Sequence, residues 1–261
     1  MRYGEMTWPE LDMAVRDRVV MVPLGSTEQH GQHLPVLTDT YLVTSVAEYA
    51  EAHLADDVLL TPTLWIGASD HHLDFPGTVS LPNALYSEVV KSVVRSLVRS
   101  GAGRILLLNG HGGNRVPADQ GLTELSNEDD VFDRAWIVSA TYWNLAAEAM
   151  KPERHGMTQP AILHACEYET SMMLHLHNDL VHLDRAVESD PPMESRYWGE
   201  GSQWLVSAYK RFSRQTGPGS LGRPTLATPA KGESLVQAAG EQMVAFVREF
   251  KGWPVLKKLK E

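Results

Sequence analysis

Arg-Val-Val-Met-Val-Pro-Leu at residues 18–24 is a short apolar run, rich in β-branched side chains, and it predicts a buried strand. Three similar runs follow, and a stretch with helical spacing of apolar residues separates each run from the next. Continuous apolar strands that alternate with helices are typical of a parallel sheet. The predicted strands are 18–24, 58–62, 104–109 and 135–141. The predicted helices are 40–54, 85–98, 114–125, 167–177 and 233–250.

We therefore expect one α/β domain over residues 1–261, with a mostly parallel β-sheet flanked by helices on both faces. The length is sufficient to bury a large core. Two segments, 67–78 and 190–231, break the alternation because they are rich in glycine, proline, serine and other polar residues. Long loops within a compact domain are commonly functional or contact other subunits.

Composition argues against several classes of protein. The net charge of −10 and the scarcity of basic clusters argue against nucleic acid as a partner. No apolar run approaches the ~20 residues that a membrane span requires, and residues 1–17 do not resemble a signal peptide. The single cysteine, Cys166, excludes an internal disulfide. We expect a cytoplasmic protein with a small-molecule substrate and no membrane partner.

Chemically active side chains follow two predicted strands, at the carboxyl ends where parallel sheets bind ligands. Glu28 and His30 are two residues apart, so in an extended segment they point the same way. Asp39 would begin the next helix and face back over this loop. His111 follows the third strand between glycines. Carboxylate and imidazole together suit zinc, manganese or iron, and a bridging carboxylate commonly holds a metal pair.

Each of these residues also has a simpler interpretation. Asp39 could be an acid stabilised by the helix dipole, and His111 a buried histidine bonded to the backbone. Their combination at neighbouring strand ends favours the metal site. The chain has neither a dinucleotide-binding nor a P-loop motif, and it lacks the Gly-x-Ser-x-Gly motif of serine hydrolases.

Five blocks of the sequence, in the same order, resemble the creatininase (creatinine amidohydrolase) family. The first is long and specific: Val-Pro-Leu-Gly-Ser-Thr-Glu-Gln-His-Gly at 22–31, His-Leu-Pro at 33–35, and Asp39. The resemblance implies a creatininase-like fold, a hydrolase with two divalent ions per subunit, and a homo-oligomer, commonly a hexamer. The later blocks are Phe-Pro-Gly-Thr at 75–78, Asn-Gly-His-Gly-Gly-Asn at 109–114, His-Ala-Cys-Glu-Tyr-Glu-Thr-Ser at 164–171 and Leu-Gly-Arg-Pro at 221–224.

The resemblance implies a set of metal ligands, in which Asp39 is the bridging carboxylate and Glu169 completes the shell of the second ion. In creatininase itself, a glutamate two residues after the histidine that matches His111 belongs to the metal site. This chain has Gly113 there, so the fifth ligand is left open. We expect the glycine to remove a negative charge, open space beside the ions and disfavour creatinine as substrate. The implied ligands are Glu28, His30, Asp39, His111 and Glu169.

Other side chains are expected to contact the substrate. The resemblance places His164 at a histidine that handles a proton and Trp143 at an aromatic of the pocket. The segment 67–78 offers more hydrogen-bonding groups, which could equally be exposed loop residues. The candidate contacts are Ser69, Asp70, His71, His72, Trp143 and His164.

The expected reaction is hydrolysis of a C–N bond in a cyclic amide or formamide. A water held between two divalent ions has its pKa lowered towards ~7, and His164 would protonate the leaving nitrogen. Alternatives on this scaffold are opening of a cyclitol-derived ring and peptide trimming in cofactor maturation. A non-catalytic small-molecule-binding protein is a third hypothesis, and the complete ligand set argues against it.

Several residues outside the ligand set have simple interpretations. Glu167 either orients a ligand or is an acid in the first turn of a helix, and Cys166 is expected to be buried and inert. The segment 190–231 carries aromatics that would pack against another subunit or the chain's own core. These aromatics are Tyr197, Trp198, Trp204, Tyr209 and Phe212.

Overall fold

A computed structural model describes residues 1–128, 130–193, 195, 197, 206 and 208–254. Its strands are β1 (Val19–Leu24), β2 (Val58–Leu60), β3 (Arg104–Asn109) and β4 (Trp136–Thr141). They form a parallel sheet in the order β2-β1-β3-β4, so β1 and β3 are the central strands. Every side chain of β1 is buried, as the apolar run predicts.

The described α-helices surround this sheet. None of them combines the length and the hydropathy that a membrane-crossing helix needs. They are α1 (Trp8–Asp17), α2 (Thr38–His53), α3 (Asn83–Arg99), α4 (Arg115–Glu128), α5 (Val131–Arg134), α6 (Tyr142–Leu145), α7 (Pro152–His155), α8 (Glu167–Leu176) and α9 (Pro229–Lys251).

Alternate side chains of β1 enter two separate cores. Val19 and Met21 pack with α2, α8 and α9 on one face of the sheet. Val20 and Val22 pack with α1, α3 and α4 on the other face. The predicted parallel sheet with helices on both faces is therefore confirmed.

Helix α1 is the main difference from the expectation based on sequence. Thr7 and Glu10 form a capping box, in which the Thr7 backbone N–H donates to Glu10 Oε2 at 2.7 Å. Only Ala14 and Val15 of this helix are buried, so its apolar pattern is too sparse to predict it. The local capping signal is the better indicator here.

The central strands bring two loops together. β1 and β3 are paired, with Leu24 opposite Asn109 at their carboxyl ends. The loops that follow, 25–37 and 110–114, therefore meet at the same edge of the sheet. Helix α2 begins directly after the first loop and carries Asp39 in its first turn.

Candidate metal centre

Asp39 lies between two histidines that come from different loops. Its Oδ1 atom lies 3.1 Å from His30 Nε2, and its Oδ2 atom lies 2.9 Å from His111 Nδ1. The Ser26 hydroxyl also donates to Oδ2, at 2.8 Å. All four side chains are buried. One carboxylate oxygen thus faces each histidine, which is the arrangement expected of a carboxylate shared by two cations.

Three sets of potential ligand atoms meet here, and two of them have no residue in common. Within each set the three ligand atoms lie within 4.8 Å of one another. Glu28 Oε2 and Glu169 Oε2 are buried and accept no hydrogen bond from the residues that the structure describes. Buried oxygens without donors are costly, and these donor types fit zinc, manganese or iron. The two sets without a common residue are Glu28, His71 and His111, and His30, Asp39 and Glu169. The third set, Glu28, His30 and His164, shares one residue with each of them.

Burial and charge shift the pKa values of this cluster in opposite directions. Burial raises the pKa of Glu28 to about 7 and that of Glu169 to about 8. Burial would lower the pKa of His30 and His111, but the nearby carboxylates raise them to about 10 and about 9. Burial would raise the pKa of Asp39, yet the two histidines hold it well below its usual value. Protons on the histidines therefore balance the buried carboxylates, a role that divalent cations can take over.

His164 lies at the edge of this cluster, just before α8. Its Nε2 donates to the Gln29 backbone carbonyl at 2.7 Å, and its Nδ1 lies 3.6 Å from Glu28 Oε1. A ring nitrogen of His164 also lies within 4.8 Å of ligand atoms of Glu28 and His30. Burial, together with the charge of His30, holds the pKa of His164 well below its usual value. The imidazole is therefore neutral at neutral pH, with Nδ1 directed towards the ligand atoms.

Gln29 is a central residue that the sequence interpretation missed. Its side-chain amide donates to His72 Nδ1 at 2.9 Å and to the Gly219 carbonyl at 3.0 Å. Its Oε1 accepts from the Gly31 backbone N–H at 2.9 Å. Gln29 thus joins the loop after β1 to two distant segments. Its position between Glu28 and His30 in the first family block was the only available signal.

A cavity of about 210 Å³ opens onto the ligand atoms. Trp143, His71, His72 and Phe212 line it beside the carboxylates and His111. A second cavity, of about 380 Å³, shares Trp143 and Ile162 with the first and is also lined by the cationic side chains of Arg115 and Lys151. The first cavity accommodates a small polar molecule against the ligand atoms, and the second lies next to it.

Two of the expected substrate contacts lie away from this cavity. Ser69 is fully buried, and its hydroxyl lies 3.2 Å from His111 Nε2. Asp70 is exposed and accepts a hydrogen bond from the Ser80 hydroxyl at 2.6 Å. The 3-10 turn Asp70–His72 sends adjacent side chains to different sides, so His71 and His72 reach the cavity instead. Ser69 and Asp70 therefore do not line this cavity, and their contact with substrate stays a prediction.

The expectation that Gly113 opens space is also wrong. A Cβ atom at Gly113 would lie 2.2 Å from the Ala68 carbonyl oxygen and 2.9 Å from His71 Cε1. Asn114 holds the Ala68 segment in place, because its Oδ1 accepts from the Ala68 N–H at 2.9 Å. The loop that carries His71 thus fills the space beside Gly113. Burial, together with the charge of His111, lowers the pKa of His71 to about 4.

Part of the aromatic segment covers the site. The ring centroid of Phe212 lies 4.2 Å from that of His72 and 4.6 Å from that of His164. Tyr197 and Tyr209 are exposed. Contact with the chain's own site therefore accounts for Phe212, and the oligomer stays a prediction. Trp198 and Trp204 lie outside the described residues.

The residues just before and at the start of α8 have supporting positions. Cys166 is fully buried, and burial raises the pKa of its thiol to about 12, so it is not a nucleophile at neutral pH. Glu167 is also fully buried, but it pairs with Lys231 and accepts from the Thr158 hydroxyl at 2.6 Å. It thereby holds the segment that leads to His164.

The chain is similar to known proteins over most of its length. The family model named Creatininase, with the description creatinine amidohydrolase, matches residues 4–247. The chain is 31% identical to creatinine amidohydrolase of Pseudomonas putida, over 94% of this chain and 95% of that protein. It is 33% identical to the mycofactocin precursor peptide peptidase of Mycolicibacterium smegmatis, over 83% of this chain and 79% of that protein.

The fold is similar to that of solved structures as well. A structure described as "Creatininase Mn" aligns with a TM-score of 0.75 at 30% sequence identity. The alignment covers 95% of this chain and 97% of that one. The similarity therefore extends over nearly the whole fold.

Proposed function

The chain belongs to the creatininase family and is a metal-dependent hydrolase, and we propose that it cleaves a C–N bond, in a cyclic amide or a formamide, of a small polar substrate. The observation that carries this proposal is the pair of ligand sets with no shared residue. We assign two divalent ions per subunit, of zinc, manganese or iron, with Asp39 between them. The proposed ligands are Glu28, His30, Asp39, His111 and Glu169.

The protein side chains would divide the chemistry among them. When bound, divalent ions lower the pKa of a water towards ~7 and polarise the substrate carbonyl. His164 accepts the proton of the attacking water at Nδ1, since its Nε2 is already bonded to the Gln29 carbonyl. The water oxygen bonds to the carbonyl carbon, the C–N bond breaks, and His164 returns the proton to the leaving nitrogen.

The cavity walls suggest how the substrate is held. His72 is fixed by Gln29 and by the Phe212 ring, so it presents a defined edge to the substrate. Trp143 lines both cavities. Phe212 covers the site and limits access of bulk water, which strengthens electrostatic interactions inside it.

A second candidate function is hydrolysis of a different bond on the same scaffold, either ring opening of a cyclitol-derived ketone or peptide trimming. The adjoining cavity favours a substrate larger than creatinine, because Arg115 and Lys151 can accept a negatively charged extension. A non-catalytic binding protein is the third candidate. We further propose a homo-oligomer, commonly a hexamer in this family, in the cytoplasm, for which light scattering and cell fractionation are the tests.

The deciding experiment is an assay of metal-loaded enzyme against creatinine, formamidopyrimidines and cyclitol-derived ketones. We expect weak turnover of creatinine and faster, chelator-sensitive release of formate or an amine from another member of the set. Fastest turnover of creatinine would contradict the substrate preference. Failure to bind divalent ions would favour the non-catalytic candidate.

A further inference from the structure

His71 lies beside Gly113, the position at which this chain differs from creatininase itself. Gly113 contributes no side chain, and a Cβ there would lie 2.9 Å from His71 Cε1. The same Cβ would lie 2.5 Å from His111 Nε2, so the position adjoins a proposed ligand. The imidazole of His71 therefore lies beside the ligand atoms in the space that a side chain at position 113 would enter.

The geometry of His71 suits coordination. Its ring lies nearly parallel to that of His111, with centroids 5.7 Å apart and an interplanar angle of 17°. One of its nitrogens lies within 4.8 Å of ligand atoms of Glu28 and His111. Neither ring nitrogen bonds to any residue in the described part of the chain. His71 thus has ring nitrogens without a hydrogen-bond partner among the described residues, beside the buried carboxylate of Glu28, whose Oε2 accepts no hydrogen bond from them either.

We propose that His71 is a further protein ligand of the ion that Glu28, His111 and the shared Asp39 would hold. This inference rests on the proposed pair of metal ions. His71 would add a neutral nitrogen donor to a site whose other protein donors include two carboxylates. Imidazole suits zinc and iron, whereas carboxylate suits manganese, so this position should prefer zinc over manganese.

The test compares metal binding by matched variants of the full chain. His71→Phe keeps a ring for packing but removes both nitrogens, and His71→Glu supplies a carboxylate in their place. His175→Ala is the control, because His175 is exposed on α8. Metal content is measured by elemental analysis, zinc affinity by competition with a chromogenic chelator, and ligand environment by the visible spectrum of the cobalt-substituted protein. Circular dichroism verifies the fold, and His71→Ala replaces His71→Phe if the latter does not fold.

We expect two ions per chain in the unmodified protein and in His175→Ala. Removing a residue that only orients a metal ligand typically lowers metal affinity about 10–100-fold. Removing a ligand itself should cost more, so we expect His71→Phe to bind one ion at least ~100-fold more weakly and to show a changed cobalt spectrum. His71→Glu should keep both ions and shift the preference towards manganese. If His71→Phe keeps the wild-type zinc affinity and cobalt spectrum, the proposed role of His71 is overturned, whereas the proposed metal pair is not. Fewer than two ions in the unmodified protein would overturn the metal pair, and this inference with it.

Discussion

Lys231 Nζ, at the start of α9, lies 2.5 Å from Glu167 Oε1, at the start of α8. The other carboxylate oxygen of Glu167 accepts from the backbone N–H and the hydroxyl of Thr158, at 2.9 and 2.6 Å. Glu167 is fully buried, so its charge depends on these partners. The pair therefore joins two core helices to the segment that precedes His164.

Replacement of Lys231 by methionine should lower the free energy of unfolding by about 3 kcal/mol, because it leaves a buried carboxylate without its cation. Lys210→Met is the control: Lys210 is exposed, and the change should stay within about 0.5 kcal/mol.

Burial would raise the pKa of Glu167, but Lys231 and Thr158 lower it below 4.5. The stabilisation is therefore present above that pH and lost as the pH falls through the folded pKa. Urea unfolding at several pH values measures both effects, and equal loss in the two variants would contradict the first.

Gly113→Ala should destabilise the protein by about 1–3 kcal/mol, since the added methyl would lie 2.2 Å from the Ala68 carbonyl oxygen. Gly112→Ala is a matched control one residue away, where a Cβ meets no atom within 4 Å. Thermal unfolding of the two variants tests the contact. Equal melting temperatures would show that the Ala68 segment moves aside without cost.

Asp39→Asn should abolish turnover and empty at least one metal position while the fold survives. The substitution keeps the shape of the side chain but removes the charge that lies between His30 and His111. Elemental analysis and circular dichroism provide the measurement. Asp70→Asn, at an exposed position away from the cavity, should keep both ions. A variant at Asp39 with two ions and substantial turnover would show that the acid only begins a helix.

Metal affinity should rise with pH. In chelator-treated protein the pKa of His30 is about 10 and that of His111 about 9, so both rings carry protons at neutral pH. An ion must displace these protons, and binding therefore strengthens as the pH increases towards 9. Calorimetry in two buffers of different ionisation enthalpy measures the protons released. An affinity that is constant between about pH 6 and pH 9 would argue against protonated histidines in the ion-free site.

Arg115→Gln should raise KM about 10-fold for a substrate with a carboxylate or phosphate extension, with little change in kcat. The reason is that Arg115 lines the cavity next to the proposed reaction site, at the start of α4. Steady-state kinetics with charged and uncharged substrates provide the comparison. An equal rise in KM for uncharged substrates would indicate a change in cavity shape instead of lost charge recognition.

The sequence by itself determined the parallel sheet, its main helices and the residue types at the end of β1 and β3. These features follow from local periodicity and from the rule that parallel strands present their carboxyl ends at one edge. Candidate metal ligands could be identified in this way, namely Glu28, His30, Asp39 and His111. Helix α1 was not predicted from the sequence, because it is marked by a capping box more than by an apolar stripe.

Only the tertiary structure decided which neighbours in a loop face the cavity. Ser69, Asp70 and His71 are consecutive, yet one is buried against His111, one is exposed and one lines the cavity. Their directions depend on a 3-10 turn held by Asn114, a contact between segments 46 residues apart. The same packing fills the space beside Gly113 with a histidine, because an empty volume in a folded protein is occupied by whichever segment reaches it.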